Sequence, residues 1–167
     1  VDSKESLSKI IEICNELIDE YKFPIIFSTH PRTEKRLESL SIKKNKLIKF
    51  CKPFGFFDYV MLQSKALCVL SDSGTITEES SILNFPALNI REVNERPEGF
   101  EEGVVPMVGL NLKLIKQSLR LLKDQSRGNE RTINLVKDYS ANNVSDKVLR
   151  IILSYTDFVK REVWHLN

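Results

Sequence analysis

The stretch from Leu67 to Ile90 constrains the fold more than any other part of the sequence. A short apolar run from Leu67 to Leu70 is typical of a buried strand, and it ends at the polar turn Ser71-Asp72-Ser73-Gly74. A helical pattern follows at once, and a second strand pattern begins at Pro86. Small polar residues at a helix start expose backbone N–H groups and the positive end of the helix dipole, which together favour an anion. The stretch therefore predicts a phosphate site between a strand and a helix.

The rest of the chain continues this alternation of strands and helices. Short apolar runs predict further strands at Ile25–Phe27, Leu47–Phe50 and Val104–Val108. Helical spacing predicts helices at Lys4–Tyr21, Thr33–Ile42, about Asp58–Ser64 and Lys113–Lys123, a short one within Thr132–Tyr139, and a long final one capped by Asn142 or Asn143. This order indicates an α/β fold, a Rossmann-like three-layer α/β/α domain whose parallel sheet is covered on both faces.

Two spacings predict how helices begin. Asp2 and Glu5 have the spacing of a capping box, and so do Thr75 and Glu78 in the central helix. Asp58 is the predicted cap of the short helix that follows the aromatic loop. The residues from Arg91 to Gly103 are charged and contain Pro, so they are interpreted as a loop.

Four polar or aromatic turns follow the predicted strands. They are His30–Thr33, Pro53–Tyr59, Ser71–Thr75 and Arg91–Gly103. Ligands of open parallel sheets bind outside the carboxyl ends of the strands. These turns therefore predict a nucleotide pocket at one edge of the sheet.

Composition excludes several classes of function. A chain of 167 residues is enough for one ordinary α/β domain, and a net charge of +2 gives no electrostatic case for nucleic acid or an anionic membrane. No apolar run is long enough for a membrane span. Cys14, Cys51 and Cys68 are scattered without CxxC spacing, which favours a reducing cytosol over a disulfide framework or a zinc site.

Five further segments are distinctive: STHPRT, SDSGTITEES, PALNIRE, NERPEG and EEGVVPMVGLN. Taken together, they resemble the non-hydrolysing UDP-N-acetylglucosamine 2-epimerase family. Within the family, the run SSILNFPALNIR is most similar to the bacterial branch that acts on UDP-2-acetamido-2,6-dideoxy-L-hexoses and forms UDP-N-acetyl-L-fucosamine for capsule or O-antigen. The resemblance implies a cytoplasmic isomerase that consumes no cofactor and needs no metal.

The resemblance covers the whole chain but only the second half of the family's protein. Family members are two Rossmann-like domains of the glycosyltransferase-B type, with the active site between them, and they are often dimeric. The resemblance therefore implies a UDP-binding C-terminal domain at residues 1–141 and a final helix at residues 142–167 that crosses back to the N-terminal domain. The family's reaction eliminates UDP and re-adds it after C2 has inverted. The catalytic groups are expected outside this chain.

The resemblance also implies roles for six residues as contacts of a UDP-sugar. Ser73 and Gly74 match the family's diphosphate contacts, and Arg96 matches an arginine that faces the phosphates. Glu79 matches the carboxylate that accepts from the ribose hydroxyls. Tyr59, with Phe57 or Phe54 as alternatives, matches the aromatic ring packed on uracil, and His30 matches a histidine near the cleft. The competing interpretations are an ordinary helix cap for Ser73, a solvated charge for Arg96 and core packing for the rings.

Two other functions fit the same architecture. A glycosyltransferase of this fold also places a glutamate on the ribose, although the ERPE segment after the DSG turn disfavours it. A non-enzymatic doubly wound module needs no phosphate turn, and the acidic pocket of a receiver domain is not evident.

Overall fold

The computed structural model describes residues 3–38, 40, 42–93 and 95–166, with the backbone alone at residues 31, 32 and 38. They form two compact units, Val1–Asn134 and Leu135–Asn167. None of the helices in this described part combines the length and the apolar character that a membrane span requires.

The first helix, α1 (Lys4–Tyr21), begins and ends where the sequence predicts. Its N-cap is Ser3, whose hydroxyl accepts from the backbone N–H of Ser6 at 3.0 Å. Asp2, and with it the predicted capping box of Asp2 and Glu5, lies outside the described residues. The helix ends at Lys22, which adopts a left-handed conformation and donates its N–H to the carbonyl of Ile18.

Helix α1 supplies both hydrophobic clusters of the first unit. Its apolar residues recur three and four positions apart, so they form one buried stripe. The first cluster is Leu7, Ile10, Ile11, Cys14, Ile18, Leu37 and Ile48. The second is Ile13, Leu17, Leu88, Val108, Ile115, Leu119 and Leu122.

The strands of the described residues form two parallel pairs. Strand β1 (Ile25–Ser28) pairs with β2 (Ile48–Cys51), and Ile25 lies opposite Ile48. Strand β3 (Val69–Ser71) pairs with β4 (Ala87–Asn89), and Ser71 lies opposite Asn89. The predicted strand at Val104–Val108 is reduced to a parallel bridge between Asn89 and Met107. The parallel direction is as predicted.

Helices connect and cover these strands. They are α2 (Pro31–Glu38), α3 (Phe56–Lys65), α4 (Ile76–Leu83), α5 (Pro97–Glu101) and α6 (Leu112–Leu122). Helix α5 lies inside the segment interpreted as a loop; Pro97 stands in its first turn, and Gly103 follows it with a φ of 67°. Helix α3 begins two residues before Asp58, with Gly55 as its N-cap, so Asp58 stands in the first turn instead of capping it.

The second unit contains a short 3₁₀ helix (Lys137–Ser140) and the long helix α7 (Val144–Glu162). Asn143 is the N-cap of α7, as predicted, although its side chain makes no capping hydrogen bond. The apolar residues of α7 are exposed; Val148 is 48% exposed and Ile152 is 55% exposed.

Candidate functional site

The turn between β3 and α4 is held by its own hydroxyl groups. The Ser73 hydroxyl lies 2.9 Å from the Thr75 hydroxyl and accepts from the Thr75 backbone N–H at 3.3 Å. The Ser73 N–H donates to the Ser71 hydroxyl at 3.1 Å. Thr75 itself has helical dihedral angles and makes no side-chain cap. Helix α4 therefore starts at an exposed, hydroxyl-lined turn, and the predicted capping box of Thr75 and Glu78 is wrong.

The loop before α5 packs directly on this turn. A Cβ atom added to Gly74 would lie 3.0 Å from Oε2 of Glu95 and 3.7 Å from Nη1 of Arg96. A side chain at position 74 would therefore meet the Glu95 carboxylate, which would have to move aside by a few tenths of an ångström. The structure thus brings Ser73, Gly74 and Arg96 together, although Arg96 lies more than twenty residues further along the chain.

Arg96 is held against α4 by the glutamate that was expected to cap the helix. Its Nε donates to Oε1 of Glu78 at 2.7 Å, with both side chains about one-third exposed. Its Nη1 donates to the backbone carbonyl of Glu95 at 3.0 Å. The Glu95 carboxylate binds Arg91 at 2.5 Å. Glu78 and Glu95 are thus each paired with an arginine, and Glu95 also contacts Arg96 through its backbone carbonyl.

Glu79 lies one residue further along α4 and faces helix α3. Its Oε2 accepts from the amide nitrogen of Gln63 at 2.5 Å. Tyr59 lies one turn before Gln63 on α3 and is partly buried. Burial raises the pKa of the Tyr59 hydroxyl, the negative charges of Glu79 and Asp72 act in the same direction, and a hydrogen bond with Gln63 opposes them. Tyr59, Gln63 and Glu79 therefore form one cluster beside the turn.

Gln63 is the residue of this cluster that the sequence analysis missed. Its side chain is only 2% exposed, and its Oε1 atom has no hydrogen-bond partner. Its position four residues after Tyr59 puts both on one face of α3, which was the signal available in the sequence. Of the alternative rings for uracil, Phe57 is 85% exposed and so does not fill the core.

His30 lies in the other strand pair. It directly follows Thr29 at the end of β1, and its side chain is exposed. Its backbone carbonyl accepts from the N–H groups of Thr33 and Glu34 at 2.8 and 3.1 Å, which starts helix α2. The structure thus joins five of the six predicted residues through α3, α4 and the loop before α5, and places His30 at a separate turn.

A groove of about 600 Å³ is lined by Lys9, Arg91, Glu92 and residues 107–114. None of the six predicted site residues lines this groove. Within the residues that the structure describes, no three His, Cys, Asp or Glu side chains converge as a metal site. The clustered site therefore consists of the exposed turn, the arginine beside it and the carboxylate of Glu79.

Comparison with known proteins assigns this arrangement to one family. The family model described as UDP-N-acetylglucosamine 2-epimerase matches residues 1–153. A curated relative of that name from Methanocaldococcus jannaschii is 39% identical over 131 residues, which are 76% of this chain and 36% of the relative. The chain thus spans little more than a third of the length of this relative.

Solved structures agree with this result. The UDP-N-acetylglucosamine 2-epimerase from Rickettsia bellii is 49% identical, with a TM-score of 0.85 over 98% of this chain and 45% of that one. The M. jannaschii UDP-GlcNAc 2-epimerase in complex with UDP-GlcNAc and UDP is 34% identical, with a TM-score of 0.79 over 92% of this chain and 42% of that one. The predicted fold class, an α/β domain with parallel strands that corresponds to one part of a longer glycosyltransferase-B-type protein, is confirmed.

Proposed function

Because the chain belongs to the UDP-N-acetylglucosamine 2-epimerase family, we propose that it is the UDP-binding part of an isomerase that inverts C2 of a UDP-N-acetylhexosamine. The observation that carries this proposal is that the Ser73-Gly74 turn, Arg96 and Glu79 all lie around the N-terminal end of helix α4. A relative of the same fold is described in complex with UDP-GlcNAc and UDP. The site provides, within one cluster, groups suited to a diphosphate and to a ribose.

The diphosphate is bound at the turn. Backbone N–H groups at the start of α4 and the Ser73 hydroxyl donate to phosphate oxygens, and the absence of a side chain at Gly74 lets them approach. Arg96 forks onto the phosphates through two parallel hydrogen bonds. Since Glu78 already binds Nε of Arg96 at 2.7 Å, the phosphate either shares the guanidinium with this carboxylate or displaces it.

The nucleoside is bound one turn deeper along α4. The Glu79 carboxylate accepts from the ribose hydroxyl groups, and the ring of Tyr59 packs on uracil. His30 is proposed to line the same cleft from the end of β1, as the family resemblance implies. These roles require the uracil to lie next to α3, where Tyr59 and Gln63 occupy successive turns.

The reaction follows the family's course of elimination and re-addition. The bond between C1 of the sugar and the diphosphate oxygen breaks as C2 loses its proton, and UDP returns after the proton has been delivered to the opposite face. The turn and Arg96 stabilise the negative charge that develops on the departing diphosphate. The groups that move the proton at C2 are proposed to lie on the N-terminal domain of the same protein, so this chain carries no catalytic residue in the proposal.

Further parts of the proposal concern the whole protein. Residues 1–141 form the UDP-binding domain, and the helix within residues 142–167 crosses back to the N-terminal domain, which gives its exposed apolar residues a partner. The full protein is cytoplasmic and dimeric and needs no cofactor. Its substrate is a UDP-2-acetamido-2,6-dideoxyhexose of surface polysaccharide synthesis, as the SSILNFPALNIR segment indicates.

Glu79 provides the most direct test of binding. Calorimetry of this chain with UDP should show binding, and Glu79→Ala should weaken it about 10- to 100-fold, because a charged hydrogen bond to ribose is lost. Glu12→Ala is the matched control, because Glu12 is exposed on helix α1. Unchanged affinity in Glu79→Ala contradicts the proposed ribose contact.

Arg96 tests the phosphate half of the same site. Arg96→Met should weaken UDP binding about 10- to 100-fold and weaken uridine binding little, because only UDP carries the phosphates that the guanidinium binds. Arg120→Met, at an arginine side chain that is 71% exposed on α6, should change neither. An equal loss for UDP and uridine places Arg96 outside the phosphate site.

The reaction itself is tested on the full-length protein. Incubation with a UDP-N-acetylhexosamine in deuterated water should invert C2 and introduce deuterium there. Transfer of the sugar to an acceptor, without incorporation at C2, favours the glycosyltransferase alternative. Comparison of UDP-N-acetylglucosamine with its 2,6-dideoxy-L counterparts identifies the substrate branch.

A further inference from the structure

The strongest feature outside the proposed contacts is a glutamine buried at their centre. Gln63 is only 2% exposed, and its amide nitrogen donates to Oε2 of Glu79 at 2.5 Å. Its other polar atom, Oε1, is buried without a partner. An unsatisfied buried acceptor costs about 1–3 kcal/mol, so packing alone is better served by an apolar side chain of the same size. The glutamine therefore has a polar task at this position.

The chemistry of the pair fixes the orientation of the amide. An ionised carboxylate only accepts hydrogen bonds, so the NH₂ group of Gln63 has to face Glu79. The bond engages Oε2 of Glu79, so Gln63 leaves the other carboxylate oxygen, Oε1, available to accept from a ligand. Tyr59 lies one turn earlier on the same face of α3, close enough for a hydrogen bond with Gln63 to oppose the rise that burial causes in the pKa of its hydroxyl. Gln63 thus connects the residue proposed for ribose with the residue proposed for uracil.

We propose that Gln63 is a positioning residue that fixes the Glu79 carboxylate in the orientation needed to accept from the ribose hydroxyl groups. This inference rests on the proposed function, because it takes Glu79 as the ribose contact. Gln63 itself does not touch the nucleotide, since its side chain is buried. Its effect on binding is therefore confined to ligands that carry the ribose hydroxyls.

The test compares UDP with 2′,3′-dideoxy-UDP by calorimetry. Gln63→Met keeps a long unbranched side chain and removes the donor to Glu79. We expect it to weaken UDP binding about tenfold and to leave dideoxy-UDP binding unchanged, so that the preference for UDP largely disappears. Ser64→Ala is the matched control on the same helix, because the Ser64 hydroxyl donates only to the Val60 carbonyl at 2.9 Å in its own helix.

The outcomes separate this inference from the proposed function. If the original chain prefers UDP over dideoxy-UDP and Gln63→Met keeps this preference, the positioning role of Gln63 is overturned, but the ribose contact of Glu79 is not. No preference in the original chain overturns the ribose contact of Glu79 and this inference with it. Gln63→Asn, which keeps the amide but is one methylene shorter, should also lose the preference, and it replaces Gln63→Met if that variant unfolds. If Gln63→Asn keeps the preference for UDP, the side-chain length of Gln63 does not matter for positioning Glu79, which contradicts the inference.

Discussion

The turns after β1 and β3 look alike in sequence but differ in what surrounds them. Both follow a short strand, begin with polar residues (Thr29-His30 and Asp72-Ser73) and lead into a helix of eight residues. After β1, the following helix α2 has Leu37 as its contribution to the core, and His30 is exposed. After β3, helix α4 buries Ile76, Thr77, Ser80 and Ser81, and its partner strand β4 is buried throughout.

The difference teaches that a polar turn becomes a site through the elements that pack around it. The turn after β3 is covered by the loop that carries Arg96 and flanked by the face of α3 that carries Tyr59 and Gln63. These residues come from three separate stretches of the chain. Helix α4 and strand β4 are buried, and the residues from all three stretches lie around them. The core therefore holds the relative positions of these residues.

The largest expected effect tests whether β3 and α4 contribute more to stability than β1 and α2. Ile76→Ala removes a side chain that is 0% exposed and should lower the free energy of unfolding by about 2–5 kcal/mol. Ile26→Ala, in β1 at 50% exposure, should cost less than about 1 kcal/mol. Urea unfolding of both variants measures the difference. Equal losses contradict the comparison.

A second effect sharpens the comparison through pH. Burial raises the pKa of the Cys68 thiol, just before β3, from 9.0 to about 12. Its stabilising contribution is complete below about pH 9 and is lost as pH rises towards 12, because the unfolded chain releases the proton first. Between pH 8 and pH 10, the free energy of unfolding should fall by about 1 kcal/mol on this account.

One variant separates this contribution from others. Cys68→Ala should flatten the decline between pH 8 and pH 10 in urea unfolding relative to the original chain. The thiol of Cys14 in α1, whose pKa burial raises to about 11, contributes the same decline in both chains. Equal slopes in the two chains contradict the assignment to Cys68.

The smallest effect compares the two turns directly. Ser73→Ala removes a hydroxyl that holds the turn after β3 and should weaken UDP binding about fivefold. His30→Ala should weaken it by less than about threefold, since an exposed side chain gains little from contacts screened by water. Calorimetry with UDP measures both. A greater loss in His30→Ala shows that the turn after β1 is the more important contact.

The fold could be predicted wherever the periodicity was long. Helix α1 matches its predicted bounds because its apolar residues repeat over eighteen residues. Helix α5 was missed because its five residues, which include Pro97 and Gly99, are too few to show a helical period. The strand at Val104–Val108 was overpredicted, since an apolar run indicates burial but not pairing, and these residues pair only at Met107.

The motifs named the residues of the candidate site, but not the contacts that these residues make with distant partners. The spacing of Thr75 and Glu78 suggested a local cap, whereas Glu78 binds Arg96, eighteen residues away. No local pattern contains that contact. Gln63 was overlooked for a similar reason, because a glutamine in a sequence is usually solvated and its burial depends on α4.

The pairing of Arg96 with Glu78 has a consequence for selectivity. The Arg96 guanidinium already binds the carboxylate of Glu78, so an anionic ligand at Arg96 competes with a carboxylate of the protein itself. A ligand of low charge gains little from this exchange, whereas a diphosphate offers more oxygens and more charge than the carboxylate. In the proposed site, this internal partner disfavours weakly charged anions, and it keeps the guanidinium oriented when no ligand is bound.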